Sequence, residues 1–291
     1  MPGIFYFTAM NHFNFNGKIF TGDTPVIGAD SRALRFGDGI FETIKFKNNR
    51  LILADDHFYR LWKGMQLLQF DIPKLFTPEK LTEEILKVTA KNKHSPARIR
   101  LGIFRGNGGL YDAKNNSPNF IIQSWNLAED NSILNNNGLQ LCIYRDAQKN
   151  CDAFSNLKHN NYLPYFMGAL FAKKIQCNDA LILNNHQRIC DSTIANVFMV
   201  KNEIIYTPGL KEGCVAGVMR KFLLQQLPAL GYPVNEIAIT EEILSEADEI
   251  FVTNSIYNIR WVAGIENKTY TSNYTQKIVD TLQQTNAAIF C

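Results

Sequence analysis

The sequence predicts an α+β chain in two domains. Three observations support this: enough length and apolar content for two cores, segments of helical period interleaved with short strand-like runs, and one polar, turn-forming stretch suited to a linker. The chain has 291 residues, 46% of them hydrophobic, and single cores stop growing at roughly 250 residues. The stretch from Trp125 to Gly138 carries Glu129-Asp130-Asn131-Ser132 and Asn135-Asn136-Asn137-Gly138, residues that favour turns over regular elements. This places an N-terminal domain at 1–124, a linker at 125–138 and a C-terminal domain at 139–291.

The elements follow in order. Short aromatic and aliphatic runs between residues 4 and 28 alternate with Asn-Gly and Gly-Asp turns, as in Phe15-Asn16-Gly17-Lys18, which is hairpin chemistry. Asp30 to Asp38 reads as a glycine-flanked turn launching a strand to Phe46; Phe41, Thr43 and Lys45 share one face of it, and Ile40, Glu42 and Ile44 the other. Phe58, Leu61, Trp62, Met65 and Leu68 recur at helical spacing behind Asp55-Asp56-His57, with Arg60 off the stripe. Pro78 to Lys91 reads as a second helix, and Ala97 to Phe104 and Phe120 to Ser124 as strands around the glycine-rich turn Arg105 to Tyr111.

In the second half, strands are expected at Leu139 to Arg145, Ala180 to Leu183, Arg188 to Cys190, Val197 to Val200, Glu203 to Tyr206 and Glu249 to Thr253. Helices are expected after Lys158, from Gly217 to about Leu227, at Glu241 to Leu244 and from Ser272 to Thr285.

Charge and composition narrow the function. A net charge of +3, evenly spread, argues against nucleic acid or a membrane surface as partner. No apolar run approaches the roughly 18 residues of a membrane span, and Met1-Pro2-Gly3-Ile4-Phe5-Tyr6 lacks the basic region and cleavage site of a signal peptide. A cytoplasmic chain is therefore expected. Cys142, Cys151, Cys177, Cys190, Cys214 and Cys291 form no C-x-x-C pair and lie in no histidine cluster, so free thiols and no metal site are expected.

The stretch Asn156 to Lys174 stands out. Its Lys158 sits among amides, an imidazole and a phenol just ahead of an apolar helical run. A lysine amine turns nucleophilic when desolvation or a nearby cation lowers its pKa, and Schiff-base chemistry is the usual use of such a site. On its own the segment reads first as that of a lysine starting a helix with its side chain in water. His57 and His159 are read as structural, the first because it opens a helix.

Taken in order, the motifs resemble the fold type IV family of pyridoxal phosphate enzymes, the class IV aminotransferase family. They are Phe36-Gly37-Asp38-Gly39-Ile40-Phe41-Glu42-Thr43, His57-Phe58-Tyr59-Arg60-Leu61, Lys158 with Asn161-Tyr162-Leu163-Pro164, Asp191 with Asn196-Val197-Phe198, Thr207-Pro208, Gly217-Val218-Met219-Arg220 and Ala247-Asp248-Glu249-Ile250-Phe251. The resemblance implies a smaller N-terminal α/β domain, a larger C-terminal barrel-like α/β domain, a homodimer, and pyridoxal 5'-phosphate as cofactor. That cofactor needs an amine for its aldehyde, an anion beside its ring nitrogen and donors for its phosphate.

By the same resemblance Lys158 is the Schiff-base lysine and the acid–base group. Asp191 is the ring-nitrogen partner, standing where the family usually carries glutamate, with the same charge and one methylene less reach. Tyr162 lies near the cofactor phenolate oxygen. The main chain of Gly217, Val218 and Met219, with Arg60, Asn254 and Ser255, holds the phosphate. A helix N-terminus suits that anion, and arginine adds a charge-assisted bond. Phe41, Thr43, Lys45 and Arg105 border the pocket of a small amino substrate bearing a carboxylate.

Within the family, Arg105-Gly106-Asn107-Gly108-Gly109, Lys158-His159 and Asn254-Ser255-Ile256-Tyr257 resemble aminodeoxychorismate lyase, although Leu110 stands where that branch often has arginine. Lys158 with Tyr162-Leu163-Pro164 is equally at home in branched-chain and D-amino-acid aminotransferases. The departure at Asp191 leaves a third reading open, a cofactor-binding protein with altered or lost catalysis.

Overall fold

A computed structural model describes residues 12–112, 116–128 and 133–290. The opening of the hairpin region, 4–11, part of the expected linker, 129–132, and Cys291 lie outside the described residues. The chain divides into two compact units, Met1–Asn131 with Lys158–Asn161, and Ser132–Leu157 with Tyr162–Cys291.

In the first unit, β1 (His12–Phe15) and β2 (Lys18–Thr21) form the expected hairpin about Asn16 and Gly17, both at positive φ. Asp30 to Phe36 is more ordered than its turn-like composition suggests. It contains a five-residue helix, α1 (Arg32–Phe36), closed by Gly37 at φ 65° and too short to show a period. Then come β3 (Gly39–Lys47), β4 (Arg50–Leu51), α2 (Ala54–Leu67), α3 (Pro78–Asn92), β5 (Ala97–Phe104) and β6 (Asn119–Asn126). Thr77 caps α3 by accepting from Lys80 N at 3.2 Å.

The six strands make one antiparallel sheet in the order β2-β1-β6-β5-β3-β4. Period two decides its faces. Ile40 and Ile44 of β3 and Ile99, Leu101 and Ile103 of β5 pack on Phe58, Leu61 and Met65 of α2 and Leu81, Ile85 and Val88 of α3. Phe41, Thr43 and Lys45 line the other face.

Residues Lys158–Asn161 belong to this unit. Phe41 N donates to Lys158 O at 2.8 Å, Asn160 N donates to Gly39 O at 2.9 Å, and Ile40 bridges His159. The segment thus runs antiparallel against the start of β3.

The second unit comprises β7 (Leu139–Lys149), α4 (Leu163–Lys174), β8 (Asp179–Asn184), β9 (Ile189–Ser192), β10 (Asn196–Lys201), β11 (Ile204–Pro208), α5 (Val218–Ala229), β12 (Val234–Ile237), α6 (Glu241–Ser245), β13 (Glu249–Asn254), β14 (Asn258–Ile265), β15 (Lys268–Thr269), α7 (Asn273–Thr285) and α8 (Ala287–Phe290). The strands β12, β14 and β15 carry no clear sequence signature. The β12 segment, Val-Asn-Glu-Ile, is an edge strand with no buried residue, and β14 breaks alternation at Arg260 and Trp261.

Nine strands form a mixed sheet, β12-β11-β10-β13-β14-β7-β8-β9, with β15 on β14. Register shifts interrupt β7, β8 and β14, and such bulges bend a sheet. Ile189 of β9 donates to Ile239, just past β12, at 2.8 Å, so the two ends of the strand order meet. That closure is the barrel-like character. No helix among the described residues is long and apolar enough to cross a membrane.

Candidate active site

In the first unit β3 sorts its side chains by face. Glu42 points with Ile40 and Ile44 into the helix-covered core and is 1% exposed. A carboxylate there requires partners, and α2 supplies two. Arg60 Nε donates to Glu42 Oε1 at 2.7 Å and its Nη2 to Oε2 at 2.5 Å, while His57 Nδ1 stands 2.6 Å from Oε2.

Burial works against the Glu42 charge, but Arg60 and then His57 overcome it and hold the carboxyl at about 2 instead of 4.5. His57 moves down from its ordinary value, because burial and the charges of Arg60 and Lys158 outweigh the pull of Glu42. It is a neutral imidazole beside an anion. Sequence singles out Arg60 and His57; pairing Glu42 with both requires the fold.

On the opposite face of β3, Lys158 Nζ lies 4.8 Å from the centre of the Phe41 ring, and the Arg100 guanidinium lies 4.4 Å from the same ring. Lys158 is half-buried and its carbonyl is tied to β3 as described. A lysine on an aromatic face, partly withdrawn from water, differs from one waving at a helix start. Arg100, cross-strand from Thr43, is on this face and went unassigned in the sequence; the strand period could have found it. Thr43 is half-buried, and Lys45 is buried, not solvated at the strand end.

Arg105 sits at the far end of β5 and is 8% exposed. Its Nη1 donates to Asp38 Oδ1 at 2.5 Å, its Nε to Asn116 Oδ1 at 3.1 Å and its Nη2 to Leu68 O. Arg32 binds the other Asp38 oxygen at 2.8 Å. These bonds give Arg105 a part in holding the glycine turn to α1 and α2.

In the second unit, the loop between β9 and β10 accepts hydrogen bonds from two of the assigned residues. Tyr162 OH donates to Thr193 O at 3.1 Å, and Asn254 Nδ2 to Ile194 O at 3.3 Å. Asn254 Oδ1 also accepts from Ile256 N and Tyr257 N, both at 2.9 Å, which shapes the turn carrying half-buried Ser255. Buried Asp179 fixes the loop by accepting from Thr193 Oγ1 at 2.5 Å and from Ala180 N at 2.8 Å.

Asp191 lies on β9 just ahead of that loop and is 2% exposed. Its Oδ2 accepts from Tyr165 OH at 2.7 Å, Val215 N at 2.9 Å and Lys149 Nζ at 3.4 Å; its Oδ1 accepts from Asn196 Nδ2 at 2.8 Å. Burial pushes the Asp191 carboxyl up, and Lys149 is the strongest influence in the other direction. The neighbouring thiols stay protonated: burial and the Asp191 charge push Cys190 well up and Cys214 to about 12.

Asn196 Nδ2 also donates to Val215 O at 2.9 Å, joining Asp191 to the turn that opens α5. That helix begins on extended Gly217 with no side-chain cap and no acidic residue in its first turn, and Val218 and Met219 are buried. A Cβ on Gly217 would stand 1.9 Å from Asn196 Oδ1, so the close approach requires glycine. The roles of Lys149, Tyr165 and Asn196 emerge only from the fold, since no local pattern ties a strand-end lysine to an acid on another strand.

A six-stranded antiparallel sheet under two helices in one unit, a curled mixed sheet in the other, and the ordered lysine, acid and glycine-turn motifs define a fold type IV enzyme. Residues 39–265 match the amino-transferase class IV family, and the chain belongs to it. It is 29% identical over 240 residues to an aminodeoxychorismate lyase of Vibrio harveyi, covering 81% of this chain and 88% of that protein. It is 24% identical over 264 residues to a D-alanine aminotransferase of Bacillus licheniformis, covering 88% of each. A branched-chain aminotransferase of Thermoproteus uzoniensis, solved with norvaline, shares the fold at a TM-score of 0.83, with 22% identity over 94% of both chains.

Proposed function

We propose that the chain is a pyridoxal phosphate-dependent 4-amino-4-deoxychorismate lyase, which eliminates pyruvate and leaves 4-aminobenzoate. The observation that carries the cofactor is the donor set. Unit two offers a buried acid held by four donors and, tied to it through Asn196, an uncapped helix start opened by a glycine that a Cβ would crowd. A protonated ring nitrogen and a phosphate call for those two features. Unit one offers the half-buried amine of Lys158.

When bound, the cofactor supplies an electron sink for bond breaking at the amine-bearing carbon. Lys158 would hold its aldehyde carbon, Asp191 would face the ring nitrogen, and the Val218 and Met219 main chain, with Arg60 and Ser255, would hold the phosphate. Lys158 Nζ would take the proton from the amine-bearing carbon of the substrate, the C–O bond between the neighbouring ring carbon and the enolpyruvyl group would break as the ring becomes aromatic, and Lys158 would pass that proton to the departing enolpyruvate, which leaves as pyruvate. The elimination needs no second substrate. The lyase choice is supported by Arg105-Gly106-Asn107-Gly108-Gly109, Lys158-His159, Asn254-Ser255-Ile256-Tyr257 and the Vibrio harveyi relative.

An aminotransferase is the second reading, favoured by Tyr162-Leu163-Pro164 and the Bacillus licheniformis relative. A homodimer fits α4, which exposes Leu163, Phe166, Met167 and Leu170 at helical spacing although its other face is buried.

Borohydride treatment of the purified protein should attach the cofactor to the peptide carrying Lys158, and Lys158→Ala should abolish labelling. Pyruvate release from aminodeoxychorismate supports the lyase. Nitrogen transfer from D-alanine or leucine to 2-oxoglutarate without that release reverses the choice, and labelling with neither activity leaves a cofactor-binding protein.

A further inference from the structure

Lys149 is a buried cation of unit two, paired to Asp191, that the proposed reaction leaves unused. It ends β7, is 7% exposed, and places Nζ 3.4 Å from Asp191 Oδ2 and 5.2 Å from the centre of the Tyr165 ring. An ammonium is rarely buried without a reason in charge. The three donors on Oδ2 more than fill that oxygen, whereas Oδ1 receives only Asn196 among the described residues. A carboxylate oxygen offers two lone pairs, so the free acceptor position of Asp191 lies on Oδ1.

We propose that Lys149 is a positioning residue for Asp191: its ammonium keeps that buried carboxylate anionic and, with Tyr165 and Val215 N, clamps Oδ2 so that Oδ1 is presented to a protonated ring nitrogen. The inference rests on the cofactor reading for the identity of the cation that Oδ1 meets. The ion pair itself does not depend on it. The other titratable groups around the carboxylate are Tyr165 on α4, Cys190 on β9 and Cys214 before α5. Burial, reinforced by Asp191, pushes all three up, so they stay neutral. Lys149 alone among these neighbours opposes the cost of burying the Asp191 charge with a charge of its own.

This also accounts for an aspartate at a position where the resemblance leads one to expect glutamate. The shorter side chain has less freedom to reach, and the clamp on Oδ2 determines its direction.

The test reads the Asp191 carboxyl directly. In cofactor-free protein labelled at the aspartate carboxyl carbons, the Asp191 NMR signal is assigned by its loss in Asp191→Asn. In the wild type it should report the charged form at pH 7. In Lys149→Met its titration midpoint should rise by about one to three pH units, the range an adjacent opposite charge accounts for, and Lys149→Arg should restore it. An unchanged midpoint in Lys149→Met overturns the proposal. Should that variant not fold, a wild-type signal reporting neutral Asp191 at pH 7 overturns it equally.

With pyridoxal phosphate added, the pH midpoint of its visible absorbance should move in Lys149→Met and not in Lys149→Arg. If the wild type takes up no cofactor, the functional reading fails while the carboxyl titration still decides the ion pair.

Discussion

Replacing Glu42 with glutamine tests the account of unit one most directly. The change keeps the shape of the side chain and removes its charge, leaving Arg60, with its side chain 13% exposed, beside a neutral amide. Two routes give the magnitude. A carboxyl held at about 2 instead of 4.5 contributes about 3 kcal/mol at neutral pH, at roughly 1.4 kcal/mol per unit. Breaking a buried ion pair from one side costs about 3–5 kcal/mol.

The sign follows from the direction of the shift. A depressed carboxyl stabilises the fold above its unfolded value of 4.5 and loses that contribution as pH falls through about 2. Some 1.4 kcal/mol therefore remains at about pH 3. The assay is urea unfolding followed by tryptophan fluorescence, since Trp62 and Trp125 lie in the same unit as Glu42. Glu42→Gln should be about 3 kcal/mol less stable than wild type at pH 7, the gap narrowing by about half at pH 3. A gap below about 1 kcal/mol at pH 7, or one that does not narrow with acid, would mean that Arg60 and His57 do not hold Glu42 as a stabilising anion.

Two further substitutions probe unit two. Gly217→Ala forces a Cβ to within 1.9 Å of Asn196 Oδ1, so it should cost about 1–3 kcal/mol and weaken pyridoxal phosphate binding about tenfold through the lost Asn196 bridge; calorimetric titration showing unchanged affinity would count against the bridge. Glu249 on β13 caps α7 across the sequence, accepting from Tyr274 N, Thr275 N and Thr275 Oγ1, each at 2.8 Å. Glu249→Ala should cost about 2 kcal/mol and speed amide exchange in the first turn of α7, and an unaltered exchange pattern there would remove it from that role.

The elements legible in the sequence are those whose cause is local. The Asn16-Gly17 hairpin, the apolar stripe of α2, the two faces of β3 and the glycine start of α5 each follow from periods and turn chemistry within a few residues. The ordered motifs likewise single out Lys158, Asp191 and Gly217 as residue types suited to one cofactor. Elements without a local signature, α1, β12, β14 and β15, escape it.

Tertiary structure alone decided which charges meet. Glu42 finds Arg60 and His57 because the core face of β3 turns toward α2, and Lys149 finds Asp191 because β7 and β9 flank β8. Lys158–Asn161, late in the sequence, closes against the start of β3. Backbone periods act over one or two turns of chain. A buried charge is tolerated only where a distant partner arrives, and the sequence does not spell out that partnership in any single stretch.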